Sequence, residues 1–360
     1  MIATATAEQY RRAIATLGAW QGADALIIIF VRPLLTRAED VAEAVRGALG
    51  ELPRDLPVQA VFMSERDHAA MARGGQVPTY LYPEDAARAL ARVMRHVSWR
   101  ERPPSEPPAF PDARRDAAAG LIAKALDGGG GWLSVHDVMR LMDCYGIPVA
   151  RWETAADPVA AGHVAERLGG RVALKAVGPK LLHKSELGAV RIGLEGGAEV
   201  SWAAVQMDED LERAGVARES FVVQRMVEDG VEMIIGVVGD AFFGPVVACG
   251  AGGVQAELLK DVSARISPLT HEDASQMLRS LATFPLLTGY RGAPAVEVDA
   301  LEDVLLRVST MVDTHHEIAE LDLNPVMASP DGAVAVDARV RVEPAPPPRP
   351  WPSAYAGAGG

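Results

Sequence analysis

Residues 172–190 read VALKAVGPKLLHKSELGAV, in which two apolar strands flank a polar connection. The first strand carries Lys175 near its end, and the connection holds His183 between lysines. Gly178 and Gly188 give that connection backbone freedom. A loop that collects cations between two strands is typical of a site for an anionic ligand. Each residue alone has a simpler interpretation, because a lone lysine most often ends a strand in solvent and a lone loop histidine often has no chemical role.

The composition restricts the class of protein. The chain has 360 residues, of which 49% are hydrophobic and 23% are charged. These values exclude a disordered chain, and the length predicts two or three domains. The net charge of -13 disfavours nucleic-acid binding, which normally needs a basic face. Two cysteines favour a reducing cytosol, and the longest apolar run, 25–31, is too short to span a bilayer. With no signal-peptide pattern, we expect a soluble cytoplasmic protein without a membrane partner.

Strands and helices alternate along residues 1–103, which predicts a small flavodoxin-like α/β domain with a parallel sheet. Thr36 is the predicted N-cap of its second helix. The segment has no glycine-rich phosphate turn after a strand, so a dinucleotide site is not expected. The predicted strands are 25–31, 58–63 and 77–82, and the predicted helices are 7–17, 37–49 and 83–96.

Five prolines between residues 102 and 111 predict a stiff linker, taken as 104–112, before a second domain at 113–343. The tail 344–360 is rich in Pro, Ala and Gly and is expected to be disordered. In the second domain, Ser134 is a predicted N-cap and Gly146 a predicted helix end. Its predicted helices are 113–126, 134–145, 158–168, 200–214, 271–281 and 301–316, and its predicted strands are 149–153, 172–177, 190–194, 221–226, 232–238, 245–248, 321–327 and 333–340.

Further blocks follow in a fixed order, and together they carry a resemblance. The blocks are LHKS at 182–185, VQRMV at 223–227, GVE at 230–232, FGPVV at 243–247, GAGG at 250–253, ELLKDV at 257–262, GYRG at 289–292 and ELDLNPV at 320–326. Residues of about 115–340 thereby resemble the ATP-grasp part of ADP-forming acyl-CoA synthetases, relatives of succinyl-CoA synthetase. The resemblance implies an ATP-grasp fold of two α+β subdomains, about 113–223 and 224–343. Residues 1–103 resemble the ligase subdomain that precedes this part in fused relatives.

The resemblance implies a nucleotide site for ATP or ADP. Lys175 would bind the α and β phosphates as a compact point charge, with Lys184 as a further cation. Glu232 would accept hydrogen bonds from the ribose hydroxyls, although a plain surface carboxylate is an open alternative. Gly252 and Gly253 would let the backbone approach the phosphates. The hinge that reads the adenine edge through its backbone would be Gln224, Arg225, Met226 and Val227.

The resemblance also implies a Mg²⁺ site. Asn324 and Asp337 would hold the ion, because hard oxygen ligands on adjacent strands suit an octahedral cation that keeps several waters. Asp322 is a third candidate, since strand side chains alternate and it shares a face with Asn324. Glu320 is a weaker candidate one pair earlier. The alternative is an ordinary charged strand end, which the apolar neighbours of Asn324 disfavour.

The resemblance implies that His183 corresponds to the residue that, in that family, takes the phosphoryl group on the ATP-grasp side. The chemistry needs a neutral imidazole nitrogen as nucleophile. Ala189 departs from the commonest pattern, which has a second glycine there. The implied function is an ATP-binding subunit or fragment of an acid–CoA ligase (ADP-forming), which passes a phosphoryl group to the acyl-CoA-forming site.

Two alternatives to this function remain. The chain could be a non-catalytic nucleotide-binding remnant or regulatory module, although a remnant has no need for the whole set of site residues. A carboxylate–amine ligase is disfavoured by His183. A CoA-binding domain and a first catalytic-histidine domain are not recognisable in the sequence, so a CoA-binding subunit or domain of the same enzyme is the expected partner. A small carboxylic acid and CoA are the expected substrates.

Overall fold

The computed structural model describes residues 5–32, 36–52, 55–73, 75, 77–101, 105–178, 181, 188–227, 230–253 and 261–345. The chain divides into two compact units, Met1–Pro104 and Ser105–Gly360. Residues 105–110 belong to no helix or strand. Most of the tail predicted to be disordered lies outside the described residues. Among the residues that are described, no helix is both long and apolar enough to cross a membrane.

The first unit contains the predicted parallel sheet, with three described strands in the order β1-β2-β3. Phe30 and Phe62 occupy paired positions on β1 and β2, and their ring centroids lie 5.0 Å apart. Tyr10 of the first helix packs edge-on against Phe30. The elements of this unit are α1 (Ala7–Ala19), β1 (Leu26–Phe30), α2 (Ala38–Gly50), β2 (Val58–Phe62), α3 (Glu65–Ala72), β3 (Thr79–Tyr80) and α4 (Pro83–Arg100).

Two local features of this unit differ from the prediction. Thr36 does not cap α2, because the N-cap is Arg37, whose side chain makes no capping bond, and the Thr36 hydroxyl donates to the carbonyl of Ala5 at 3.4 Å. Helix α3 was not predicted. Its signal is Ser64, which accepts a hydrogen bond from the amide of Asp67 at 3.2 Å. The polar sequence that follows gives α3 little amphipathic character, so the cap alone marks the helix.

The second unit holds two antiparallel sheets. Its elements are α5 (Arg115–Asp127), β4 (Gly131–Trp132), α6 (Val135–Cys144), β5 (Trp152–Ala155), α7 (Pro158–Leu168), β6 (Arg171–Val177), β7 (Val190–Glu195), α8 (Gly196–Arg213), β8 (Ser220–Arg225), β9 (Val231–Asp240), β10 (Gly244–Ala251), β11 (Val262–Ile266), α9 (His271–Arg279), α10 (Phe284–Leu287), α11 (Val298–Thr314), β12 (Ile318–Ser329), β13 (Gly332–Ala335) and β14 (Ala338–Val342).

The smaller sheet has four described strands in the order β5-β8-β6-β7. Alternation along β6 sends Val172, Leu174 and Ala176 to one face, where they join a core with residues of α7 and α8. Ala173 and Lys175 therefore occupy the other face. That face is the one available to a ligand.

The larger sheet has seven strands within the described residues, in the order β11-β10-β9-β12-β14-β4, with β13 also paired to β12. One face carries Leu321 and Val340 into the main core, which includes residues of α5, α6, α9 and α11. The opposite face carries Asp322 and Arg339, which are partners in the register of β12 and β14. The two-sheet architecture is the ATP-grasp fold that the resemblance implied.

The prediction of a single strand at 333–340 is wrong, because the structure has two strands there, β13 and β14. Both pair with β12, on either side of Pro325, which has no amide to donate. Between them the amide of Val336 donates to the carbonyl of Pro325 at 2.9 Å. Strand β11 was not predicted; its residues alternate between apolar and polar, but Ser263 is buried whereas Val262 and Ile266 are exposed.

Helix α6 confirms both of its predicted ends. The hydroxyl of Ser134 accepts a hydrogen bond from the amide of Asp137 at 3.1 Å, as an N-cap does. Gly146 follows the helix with a φ of 63°, a conformation that favours glycine. These end signals are local, which is why the sequence reveals them.

Candidate functional site

Lys175 connects the two sheets of the second unit. Its Nζ lies 3.7 Å from Oδ1 of Asp337 and donates to the carbonyl of Val336 at 3.4 Å. Only 8% of Lys175 is exposed. The contact joins β6 of the smaller sheet to the segment between β13 and β14 of the larger one. The structure therefore brings together a predicted phosphate-binding lysine and a predicted metal ligand, 162 positions apart in sequence (337 − 175).

Charges of the same sign lie close together around this contact. Burial lowers the pKa of Lys175, Asp337 opposes that effect, and the charge of Arg339 lowers the pKa further. Burial raises the pKa of Asp322, with Arg339 opposing the rise and Asp337 adding to it. The site thus holds two cations that repel each other and two carboxylates that repel each other. A bound anion and a bound cation would relieve these two repulsions.

Of the three predicted metal ligands, Asp322 and Asn324 lie in the middle of β12 and Asp337 directly precedes β14. The amide of Asn324 donates to the carbonyl of Asp337 at 3.1 Å, and Asp322 is two residues earlier on β12. The described residues contain no group of three or more His, Cys, Asp and Glu that could hold a metal. Two carboxylates and one amide nevertheless fit Mg²⁺, which takes few protein ligands and completes its shell with water and phosphate oxygens. Glu320 is engaged elsewhere, since it accepts from Nη2 of Arg341 at 2.6 Å.

The predicted hinge consists of the last two residues of β8 and the two residues that follow it. The amides of Arg225 and Met226 already donate to the carbonyls of Arg151 and Arg171, at 2.7 and 2.9 Å. A ligand would therefore have to use other backbone groups of residues 224–227. The guanidinium of Arg225 donates to the carbonyl of Leu168 at 2.9 Å, so this side chain points towards the end of α7.

The side-chain oxygen of Gln224 is a hydrogen-bond acceptor that the sequence analysis did not identify, since it named this residue only for its backbone. Its side chain is 1% exposed, and its Oε1 has no hydrogen-bond partner within the described part of the chain. The side chain occupies the same face of the smaller sheet as Lys175, because Gln224 pairs with Ala173 and Lys175 with Val222. An unsatisfied buried acceptor is costly, so this oxygen suits a ligand that donates a hydrogen bond.

Glu232 lies beside the two predicted glycines. The amide of Gly252 donates to the carbonyl of Glu232 at 2.7 Å. A Cβ atom on Gly253 would lie 2.6 Å from Oε2 of Glu232, and Gly253 has a φ of 64°. The absence of side chains at these glycines is therefore what lets the carboxylate sit against the end of β10. His183 and Lys184 lie outside the described residues.

Arg339 is a site residue that the sequence analysis missed. It is exposed on β14, pairs in register with Asp322 and acts electrostatically on Lys175. The available signal was its position two residues after Asp337. That signal has meaning only once the strand is known to begin at Ala338.

A buried lysine on one antiparallel sheet thus contacts Asp337, which directly precedes a strand of the other sheet. This arrangement is chemically suited to a phosphate-bearing ligand and a divalent cation. The ATP-grasp domain family matches residues 124–342. The chain is 32% identical over 346 residues to the ADP-forming acetate–CoA ligase I of Archaeoglobus fulgidus, covering 94% of this chain and 49% of that one. The chain belongs to the ATP-grasp family of ADP-forming acyl-CoA synthetases.

Two further relatives are similar over the second part of the chain. The beta subunit of the ADP-forming acetate–CoA ligase I of Pyrococcus furiosus is 36% identical over 211 residues, which is 57% of this chain and 89% of that subunit. The acetyl-coenzyme A synthetase 1 of Ca. Korarchaeum cryptofilum has been solved with coenzyme A and Mg-AMPPCP, its phosphohistidine segment pointing towards the nucleotide-binding site. That structure is 37% identical, has a TM-score of 0.56, and covers 63% of this chain and 100% of its own.

Proposed function

We propose that this chain is the ATP-binding part of an ADP-forming acyl-CoA synthetase and relays a phosphoryl group through His183. The observation that carries the proposal is the contact between Lys175 and Asp337, 3.7 Å apart on two sheets. It brings the cation suited to nucleotide phosphates next to the carboxylates suited to Mg²⁺. A nucleotide phosphate chain with its metal would replace this direct ion pair.

The overall reaction is acyl-CoA + ADP + phosphate in equilibrium with acid + CoA + ATP. In the step assigned to this chain, a terminal oxygen of ADP attacks the phosphorus of phosphohistidine. The new P–O bond forms as the P–N bond breaks, and the electron pair of that bond returns to the imidazole nitrogen. The reverse step uses the neutral imidazole as nucleophile and releases ADP. Bound Mg²⁺ would neutralise charge on the phosphate oxygens.

The residues of this chain have separate tasks in that step. Lys175 holds the phosphates, and Asp322, Asn324 and Asp337 supply oxygens for the metal. Gln224 accepts a hydrogen bond from the adenine amino group through its unpaired buried oxygen. The backbone of Arg225, Met226 and Val227 binds the rest of the adenine edge, and Glu232 accepts hydrogen bonds from the ribose hydroxyls. Gly252 and Gly253 lie near the phosphates, and Lys184 is a further cation. The Mg-AMPPCP complex of the Ca. Korarchaeum cryptofilum relative supports a nucleotide site in this fold.

We also propose that the chain works with a CoA-binding subunit or domain. It spans 49% of the length of the Archaeoglobus enzyme, whereas the Pyrococcus relative is named as a separate beta subunit. The acyl-CoA chemistry, with a small carboxylic acid and CoA as substrates, would take place mainly on that partner.

Nucleotide binding is the first test. Saturating Mg²⁺–ATP or Mg²⁺–ADP should raise the melting temperature, since a ligand at one hundred times its Kd adds about 2.7 kcal/mol of stability. Lys175→Ala should remove most of this shift. No shift in the wild-type chain would disprove the proposed nucleotide site.

Phosphoryl transfer is the second test. Incubation with γ-labelled ATP and Mg²⁺ should give an acid-labile, base-stable label on the chain, and His183→Ala should abolish it. A CoA-binding partner should strengthen the label. A chain that binds the nucleotide but stays unlabelled even with the partner would be the non-catalytic remnant.

A further inference from the structure

Two arginines share one face of β14 but have different surroundings. Nη2 of Arg341 donates to Glu320 at 2.6 Å, and its Nη1 contacts Glu343. Within the described residues, Arg339 has no carboxylate within ion-pairing distance, although it is in register with Asp322. Arg341 is thus neutralised by two acids, whereas the guanidinium of Arg339 stays available to a ligand.

The position of Arg339 relates it to the proposed phosphate site. It lies on the open face of the larger sheet, in register with Asp322 and two residues after Asp337, whose Oδ1 lies 3.7 Å from Nζ of Lys175. Two cations held near each other cost free energy unless an anion lies between them. The carboxylates of Asp337 and Asp322 offset this repulsion only until they bind the metal, which is the task proposed for them above. A phosphate group near both cations would supply the missing negative charge.

We propose that Arg339 binds the terminal phosphoryl group of the nucleotide, the group exchanged with the acceptor. The proposal rests on the proposed function and adds a residue to it. Lys175, buried between the sheets, would hold the phosphates that remain on ADP, whereas the exposed Arg339 would hold the phosphoryl group that moves. A guanidinium suits this task because its planar fork binds two phosphate oxygens at once.

The test compares two nucleotides that differ by the group in question. Titration calorimetry of the full 360-residue chain would measure the Kd of Mg²⁺–AMPPCP, an ATP analogue that cannot transfer its terminal phosphoryl group, and of Mg²⁺–ADP. Arg339→Gln should raise the Kd of AMPPCP by about 10- to 100-fold, which is the scale of a lost charge-assisted hydrogen bond. It should raise the Kd of ADP by less than about threefold. Arg339→Lys should give a Kd for AMPPCP between those of the wild type and Arg339→Gln, since lysine keeps the charge but lacks the planar guanidinium.

Arg341→Gln is the matched control, because it removes an arginine from the same strand and the same face. It should leave the ratio of the AMPPCP and ADP affinities unchanged. If Arg339→Gln weakened both nucleotides equally, or if Arg341→Gln had the same effect, the assignment of Arg339 would be overturned while the nucleotide site remained. A wild-type chain that bound neither nucleotide would instead overturn the proposed function itself, and with it the role of Arg339.

Discussion

Lys175 and Asp337 form an unequal pair at the centre of the candidate site. The lysine side chain is 10% exposed and the aspartate side chain 30%. Removing either member leaves the other without its partner, but the consequences differ. A charge left alone costs more where less water reaches it.

We expect Asp337→Asn to destabilise the nucleotide-free chain more than Lys175→Met does. The first change leaves a buried ammonium unpaired and should cost about 1–2 kcal/mol, below the 3–5 kcal/mol of a fully buried pair because Asp337 is partly exposed. The second change replaces the ammonium by an apolar group of similar length and should cost less than about 1 kcal/mol. Urea unfolding followed by tryptophan fluorescence would measure both. A larger loss for Lys175→Met would contradict this account.

The two cysteines give a prediction about reactivity. Burial raises the pKa of Cys249 to about 12 and also raises that of Cys144, and both thiols are buried. Because the thiolate is the reactive form, neither residue should be alkylated by iodoacetamide in the native chain at mildly alkaline pH. Both should react after denaturation, which serves as the control in mass spectrometry. Rapid labelling of Cys249 in the folded chain would show that β10 opens readily.

The candidate site could be predicted only as far as the resemblance reached. Lys175, Asn324 and Asp337 were named from the family resemblance, and the structure brings Lys175 to Asp337. Spacing alone could not have joined residues on two different sheets. Arg339 and the unpaired oxygen of Gln224 were missed because each depends on strand register and burial, which arise from long-range pairing.

At the scale of elements, the accuracy of prediction follows the range of the interactions. The ends of α6 were predicted because Ser134 and Gly146 act on their immediate neighbours. The division between β13 and β14 was not, because it depends on Pro325 in a strand that precedes both. The parallel sheet of the first unit was predicted from runs of apolar, branched residues, which can be recognised without knowing which strands pair.

Two glycine-to-alanine changes should have opposite effects on stability. In Gly252→Ala the new Cβ would lie 3.0 Å from the backbone of Glu232, so the end of β10 must move, at a cost of about 1–3 kcal/mol. Gly120 lies inside α5 and has no atom within 4 Å of a new Cβ. Gly120→Ala should therefore stabilise the chain by about 0.4–1 kcal/mol. Thermal unfolding of the two variants would compare them, and a stabilising Gly252→Ala would contradict the close approach.

At the scale of the whole molecule, the chain spans about half the length of the Archaeoglobus relative and extends beyond its match to the Pyrococcus beta subunit. The Pyrococcus beta subunit matches 57% of it, whereas the Archaeoglobus enzyme, matched over 94% of it, is about twice as long. The first unit, Met1–Pro104, is thus the part that the fused relative shares beyond the ATP-grasp domain. The acyl-CoA chemistry needs groups that bind CoA, which we propose are supplied by a CoA-binding subunit or domain.

We therefore expect the 360-residue chain alone to make no acyl-CoA from acid, CoA and ATP. Adding a subunit that carries the CoA-binding half of a related enzyme should restore turnover, because phosphoryl transfer and thioester formation would then be joined. Coupled release of ADP, measured with and without that subunit, would test this expectation. His183→Ala should abolish turnover in the mixture, while Arg341→Gln, outside the proposed machinery, should leave it intact. Turnover by the isolated chain would contradict the division of labour, since it would require a CoA site within these two units.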